Sequence, residues 1–331
     1  MRICIYGAGA IGGLLGARLA RAGEDVTLIA RGPHLAAIRE QGLTVTSSGE
    51  TLTVRPRATD KPEEAGEQDF VIVTLKANAV PGIAKQMLPL LGPDTAVVMA
   101  VNGVPWWYFY GIGGPFRDRR LKSLDPEDRL WTMIGPQRII GCVVYPAAEI
   151  IAPGHIQHME GDRFSLGEPD GQKSERALVL SRALTTAGLK APVKTDIRSE
   201  IWVKLWGNAV FNPISALTGA TLRAICENPG TAQLARMVMR EVELVANALG
   251  VVMPVSLDRR MAGAAAIGEH KTSMLQDLEK GRPLELDAIV AAVIELAQIT
   301  EVAVPRLEEL YALTCLRAET PFSDAPDQQK R

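Results

Sequence analysis

The chain has 331 residues, 47% of them hydrophobic and 22% charged, with a formal net charge of -2. It is long enough for two domains around a substantial core, and its composition excludes a disordered chain. Charges of both signs are interspersed, so no global field draws the protein to nucleic acid or an anionic membrane, and any anionic partner has to be held locally.

In chain order, short β-branched runs first alternate with helical patterns. Arg2 to Tyr6, Asp25 to Ala30, Phe70 to Thr74, Ala96 to Val101 and Ile139 to Val144 read as strands. Leu14 to Ala22 and Pro81 to Leu88 are among the helices between them. The alternation predicts an α/β domain of the Rossmann type, a doubly wound, mostly parallel sheet with helices on both faces. After Thr195 the strand-like runs stop, and amphipathic patterns over Ile197 to Leu217, Thr231 to Leu249, Leu284 to Gln298 and Arg306 to Leu316 predict an all-helical second domain. The expected division is 1–195, 196–320 and a flexible polar tail at 321–331.

The four cysteines, Cys4, Cys142, Cys226 and Cys315, form no C-x-x-C pair. Their scatter argues against a metal site or a disulfide framework and fits a reducing cytoplasm. His34, His155, His158 and His270 sit in no supporting motif. The apolar stretch from Ala96 to Gly114 carries Asn102, Pro105 and several glycines and makes a poor membrane span.

Gly7-Ala8-Gly9-Ala10-Ile11-Gly12 follows the first strand and opens the first helix. In that context Gly7 serves a tight turn, Gly9 the approach of a pyrophosphate to the backbone, and Gly12 close helix–strand packing, with the helix N-terminus facing the phosphates. At the end of the second strand, where an acid would select NAD, the chain has Ala30-Arg31-Gly32. A guanidinium there can pair with a 2′-phosphate, so the expected cofactor is NADP(H).

Lys204, Asn208 and Asn212 are spaced i, i+4, i+8, which sets an ammonium and two amides in line on one helix face flanked by Ile201, Trp202, Leu205, Val210 and Phe211. The line reads either as a pocket wall or as a solvated stripe. Pro213, which denies the carbonyl of Ala209 its helical donor, favours the pocket.

Together with Thr74-Leu75-Lys76-Ala77, Asn102-Gly103, Trp202-Val203-Lys204-Leu205, Asn212-Pro213 and Ser273-Met274-Leu275-Gln276-Asp277 followed by Glu285, these motifs resemble the ketopantoate reductases (2-dehydropantoate 2-reductases), in family order over nearly the whole chain. The resemblance implies NADPH-dependent reduction of 2-dehydropantoate to pantoate, towards pantothenate and coenzyme A. It implies that Lys204 is the general acid, that Glu285 lies near the lysine and the cofactor, and that Asn208, Asn212 and Ser273 hold the substrate. It implies further that Lys76 faces the site, that Asn102 touches both nicotinamide and substrate, and that Ala147 gives the cofactor a backbone contact. Taken alone, Ser273 reads as a helix cap and Glu285 as a surface acid.

Two departures bear on the substrate. The segment between Asn102-Gly103 and Ile139, with the charged run Arg117 to Arg129, is longer than the usual family loop, and Trp106 to Tyr110 are five consecutive aromatics. They read either as a lid beside the substrate or as an anchor to the core. Thr221-Leu222-Arg223 stands where the family often has another asparagine. Two other functions stay open: reduction of a bulkier or aromatic 2-oxo acid, and a non-catalytic NADP-binding regulator. The expected partners are a small 2-oxo acid and, from exposed-looking aromatics and the helical domain, a second copy in a homodimer. No nucleic acid, membrane or metal is expected.

Overall fold

The computed structural model describes residues 1–320; the tail expected at 321–331 lies outside the described residues. The chain forms two compact units, Met1–Ile201 and the part from Trp202 onward.

The first unit holds eleven strands: β1 Arg2–Tyr6, β2 Asp25–Ile29, β3 Leu43–Ser47, β4 Glu50–Val54, β5 Arg57–Thr59, β6 Gln68–Val73, β7 Leu91–Met99, β8 Ile139–Val144, β9 Ala147–Ala152, β10 His155–Glu160 and β11 Phe164–Gly167. Its helices are α1 Ala10–Arg21, α2 Gly32–Gln41, the short α3 Ala84–Met87 and α4 Glu175–Thr186. Seven strands form one sheet in the order β11-β8-β7-β6-β1-β2-β5. All neighbours in it are parallel except β11 and β8. Hydrophobic side chains alternate across it: Ile3, Ile5, Phe70 and Ile72 pack on one face, and Cys4, Tyr6, Val71 and Val73 on the other, as the two-residue pleat requires.

Helices line both faces as expected, α1 and α4 on the side of Ile3 and α3 on the side of Cys4, and one of them is covered in turn. A second sheet, β4-β3-β10-β9, packs on the far side of α1, so this helix lies between two sheets. Its glycines record both contacts. A Cβ on Gly16 would meet Leu28 of the large sheet at 2.5 Å, and one on Gly13 would meet Ile156 of the small sheet at 2.1 Å. The small sheet is visible in hindsight as period-two alternation, with Leu43, Val45 and Ile156 inward and threonines outward. Ser48 and Gly49, both with positive φ, turn β3 into β4, the geometry that two-residue hairpins favour.

Boundaries shift too. The expected helix over Pro81 to Leu88 is a 3-10 turn, α3, and another 3-10 turn, because Pro81 and Pro89 interrupt the ladder. β7 ends at Met99, so Asn102 sits two residues beyond Ala100 in a turn and not directly after the strand.

The second unit is helical throughout its described residues. α5, Ile197–Thr218, runs into it from the first unit and passes Pro213 without ending. It is followed by α6 Leu222–Glu227, α7 Pro229–Ala248, α8 Leu257–Ile267, α9 Ser273–Glu279, a π-helical turn Asp287–Ala291 continuing into α10 Ala292–Ile299, and α11 Pro305–Glu319. Trp206 is fully buried and donates its indole N–H to the carbonyl of Met239 on α7 at 2.8 Å, which fixes the rotation of α5.

Candidate active site

The chain leaves β1 for β2 and β5 on one side and returns to β6, β7 and β8 on the other, so strand order reverses between β1 and β6. Ligands of open α/β sheets bind outside the carboxyl ends of the strands at such a point. Gly7–Gly12 leaves β1 here and Thr74–Lys76 leaves β6.

The backbone of the glycine loop is held from several sides. The N–H groups of Gly7 and Ala8 donate to the carbonyl of Ile29 at 3.1 and 2.9 Å, and the Thr74 hydroxyl donates to the carbonyl of Gly7 at 2.7 Å. Gly7 has φ +103°, a conformation that L side chains rarely adopt. A Cβ on Gly12 would come within 2.3 Å of both Gly7 O and Thr74 Oγ1, so Gly12 is glycine for packing. Gly9 differs from both. Its φ is −74° and a Cβ there would meet nothing within 4 Å, so the protein itself gives no reason for a glycine. Gly9 is also the N-cap of α1, where no side chain caps the helix and the first turn carries no acid. The start of α1, whose first N–H groups carry the positive end of the helix dipole, thus lies beside open space at Gly9, a cradle that fits a pyrophosphate.

Arg31 is exposed at the N-cap of α2, directly after β2 and Ala30. Lys76 is part-buried and caps a 3-10 turn three residues beyond β6; Asn102 and Ala147 are part-buried, Asn102 beside the positive-φ Gly103 and Ala147 at the start of β9. The large sheet thus sets Arg31, Lys76 and Asn102 after the carboxyl ends of β2, β6 and β7.

In the second unit, α5 carries Lys204 and Asn208 part-buried and Asn212 only 4% exposed. Leu205, Trp206, Gly207, Ala209, Val210 and Phe211 are all buried around them, which is not the setting of a solvated stripe. Asn212 Nδ2 is buried with no hydrogen-bond partner among the described residues. A buried amide donor left this way costs on the order of 1–3 kcal/mol, which a ligand oxygen would offset. Glu285 is 9% exposed and lies two residues before the π-helical turn, so the surface-acid reading of it fails. Ser273 is the exposed first residue of α9, and the cap is Thr272, whose hydroxyl accepts from Leu275 N.

The departures from the family pattern have structural explanations. Trp106, Trp107, Tyr108 and Phe109 are each 4% exposed or less, and Trp106 and Trp107 belong to the core beneath the large sheet with Ile139, Val143 and Ile197. A Cβ on Gly141 of β8 would meet the Trp107 ring at 2.8 Å. Arg198 clamps the segment by donating to the carbonyls of Tyr108, Pro169 and Tyr110. The run is an anchor, not a lid. Thr221 caps α6, accepting from Ala224 N, and its hydroxyl donates to Glu269. Sequence reasoning quoted Thr74 as part of a motif without seeing that it ties the β6 loop to the glycine loop. No group of acids, histidines and cysteines among the described residues could hold a metal, and no helix there is long and apolar enough to cross a membrane.

The family model described as ketopantoate reductase PanE/ApbA matches residues 3–171, and the model of its C-terminal domain matches residues 196–317. A 2-dehydropantoate 2-reductase of Mesorhizobium japonicum is 54% identical, over 95% of this chain and 96% of that protein. The crystal structure of 2-dehydropantoate 2-reductase from Geobacter metallireducens has a TM-score of 0.83 at 31% identity, covering 96% of this chain and 99% of that one. D-mandelate dehydrogenase, in a ternary structure with NADH and anilino(oxo)acetate, shares the fold at 22% identity, with a TM-score of 0.81 over 96% of this chain and 99% of that one. With family models over both units and a relative more than half identical from end to end, the chain belongs to the ketopantoate reductases, a family of oxidoreductases.

Proposed function

We propose that the chain reduces 2-dehydropantoate to pantoate with NADPH, the step its Mesorhizobium japonicum relative is named for. The observation that carries the reading is the polar line on α5, an ammonium and two amides walled by buried apolar side chains and ending in the unpartnered amide of Asn212. Such a line asks for a small ligand rich in oxygen.

The residues present fit the cofactor. Gly7, Ala8, Gly9, Ala10, Ile11 and Gly12 would hold the pyrophosphate, Arg31 the 2′-phosphate, and Lys76, Asn102, Ala147 and Glu285 the nicotinamide half. NADPH, when bound, supplies a hydride to the carbonyl carbon. The chain's part is to hold the acid and deliver the proton. Asn102, Asn208, Asn212 and Ser273 orient the carboxylate and hydroxyl oxygens of the substrate. As negative charge develops on the carbonyl oxygen, the Lys204 ammonium stabilises it and transfers its proton there, leaving a 2-hydroxy acid and a neutral amine that solvent reprotonates. Glu285 is the carboxylate beside this lysine.

Burial of Trp106 to Phe109 removes the observation that favoured an aromatic 2-oxo acid, and a regulator would not need the line on α5. The cytoplasm suits four free cysteines. A homodimer would cover Leu244 of α7 and Leu313 and Leu316 of α11, all more than half exposed. NADPH oxidation measured across a panel of 2-oxo acids tests the reading. Turnover greatest with 2-dehydropantoate supports it; turnover only with aryl 2-oxo acids, or none with any, refutes it.

A further inference from the structure

Thr74 is the first residue beyond β6, and it reaches across the point where strand order reverses. Its hydroxyl donates to the carbonyl of Gly7 at 2.7 Å, and its own N–H donates to the carbonyl of Tyr6 at 3.1 Å. The Gly7 oxygen accepts a second time, from the N–H of Gly9 at 2.7 Å. A carbonyl oxygen has two lone pairs, and both are thus engaged inside the protein. Leu75 closes the same side, since a Cβ on Gly7 would meet its side chain at 2.6 Å and its backbone nitrogen at 3.3 Å.

The loop has a physical need for such a lock. Gly7 lies at φ +103° and has no side chain, so hydrogen bonds are what resist rotation of the peptide that follows it. Rotated outward, that peptide would aim its oxygen, the negative end of its dipole, into a cradle built to receive an anion. At the nitrogen end the peptide is held by Ala8 N–H donating to Ile29 O at 2.9 Å. At the oxygen end, Gly9 N–H belongs to the loop and moves with it. Thr74 adds a donor from outside, on a chain segment that is itself fixed, because Ala100 N–H donates to Val73 O at 3.0 Å. Room for the hydroxyl comes from α1. A Cβ on Gly12 would come within 2.3 Å of Thr74 Oγ1, so the lock fits only against a bare Gly12.

We propose that Thr74 is a positioning residue for the dinucleotide: its hydroxyl keeps the Gly7 carbonyl turned away from the pyrophosphate and holds the turns after β1 and β6 in one register before the nucleotide arrives. The inference rests on the cofactor reading of Gly7–Gly12. It gives Gly12 a second task, room for the hydroxyl, and it applies to NADPH and NADH alike, since the pyrophosphate is common to both.

The test is the Kd of each nucleotide, from NADPH and NADH fluorescence titrations, beside thermal unfolding of the same samples. Thr74→Ala should weaken both nucleotides by a similar factor, roughly three- to tenfold for one lost hydrogen bond. Thr74→Ser, which keeps the hydroxyl, should stay within about twofold of wild type. Thr74→Val keeps the shape without the donor and should behave like Thr74→Ala; if it fails to fold, the alanine and serine variants still decide. A lower melting temperature with both Kd values unchanged would make Thr74 merely structural and overturn the proposal. Equal losses in Thr74→Ser and Thr74→Ala would overturn it too, since the hydroxyl would then not be what matters, and so would a loss confined to NADPH. Gly9→Ala separates the two readings. If it also leaves both Kd values unchanged, the cradle assignment fails; if it weakens both while Thr74→Ala does not, only the Thr74 role fails.

Discussion

Replacing Gly9 by alanine separates binding from folding. The backbone at Gly9 lies at φ −74°, ψ −157°, open to any L residue, and the added methyl would touch nothing within 4 Å. The folding cost reduces to exchanging glycine for alanine at an N-cap, about 1 kcal/mol or less. The same methyl stands where a pyrophosphate would approach the N–H groups opening α1. Losing one or two charge-assisted hydrogen bonds of about 1.5–3 kcal/mol each predicts a rise in the NADPH Kd of at least tenfold. Gly12→Ala should behave differently, because its Cβ would sit 2.3 Å from Gly7 O and Thr74 Oγ1 and must disturb the fold itself. The assay is fluorescence titration with NADPH alongside thermal unfolding of both variants. A Gly9→Ala protein that binds NADPH like wild type, or that unfolds as readily as Gly12→Ala, would refute the reasoning.

Three further outcomes are expected. Arg31→Ala should raise the Kd for NADPH by about tenfold or more while leaving NADH nearly unchanged, since one charge-assisted pair with the 2′-phosphate is lost; equal losses for both nucleotides would contradict the NADP assignment. Asn212→Ala should raise the KM for the 2-oxo acid yet change stability by only about 1 kcal/mol despite its burial, because the side chain gives up a donor that has no partner; chemical denaturation and steady-state kinetics on one preparation check both halves. At Glu200, burial works against ionisation, but Lys194 at 2.7 Å and the Tyr145 hydroxyl at 3.1 Å outweigh it and hold the carboxyl below its ordinary range. A depressed folded pKa stabilises above the unfolded value of about 4.3 and loses that contribution as pH falls through the folded one. Lys194→Ala should therefore cost up to about 1 kcal/mol at neutral pH, with the gap to wild type closing at acid pH; a gap that stays constant from neutral to acid pH would count against the pair.

Much of this was legible before any coordinates. Three glycines between a strand and a helix named the cradle, because each position has its own steric requirement, and helical spacing alone aligned Lys204, Asn208 and Asn212. The small sheet was harder to read: its strands are only five or six residues long, threonines interrupt the apolar positions of β3 and β4, and β3 pairs with β10 across more than a hundred residues. Burial was also hidden. Glu285 lies inside and Trp106 to Phe109 serve the core, and neither follows from residue type, since an acid usually faces water and an aromatic run fits a core or a lid equally well. His34 carried no signal at all, because its hydrogen-bond partner is the backbone N–H of Gly154, whose identity says nothing about a histidine.

The most direct test of the account is NADPH oxidation with 2-dehydropantoate, run on the wild-type protein and Lys204→Ala side by side. The account predicts turnover in the first and a kcat lower by roughly a hundredfold or more in the second, with NADPH affinity retained, since the loss is that of the general acid. Near-normal turnover in Lys204→Ala, or none in the wild type, would contradict it.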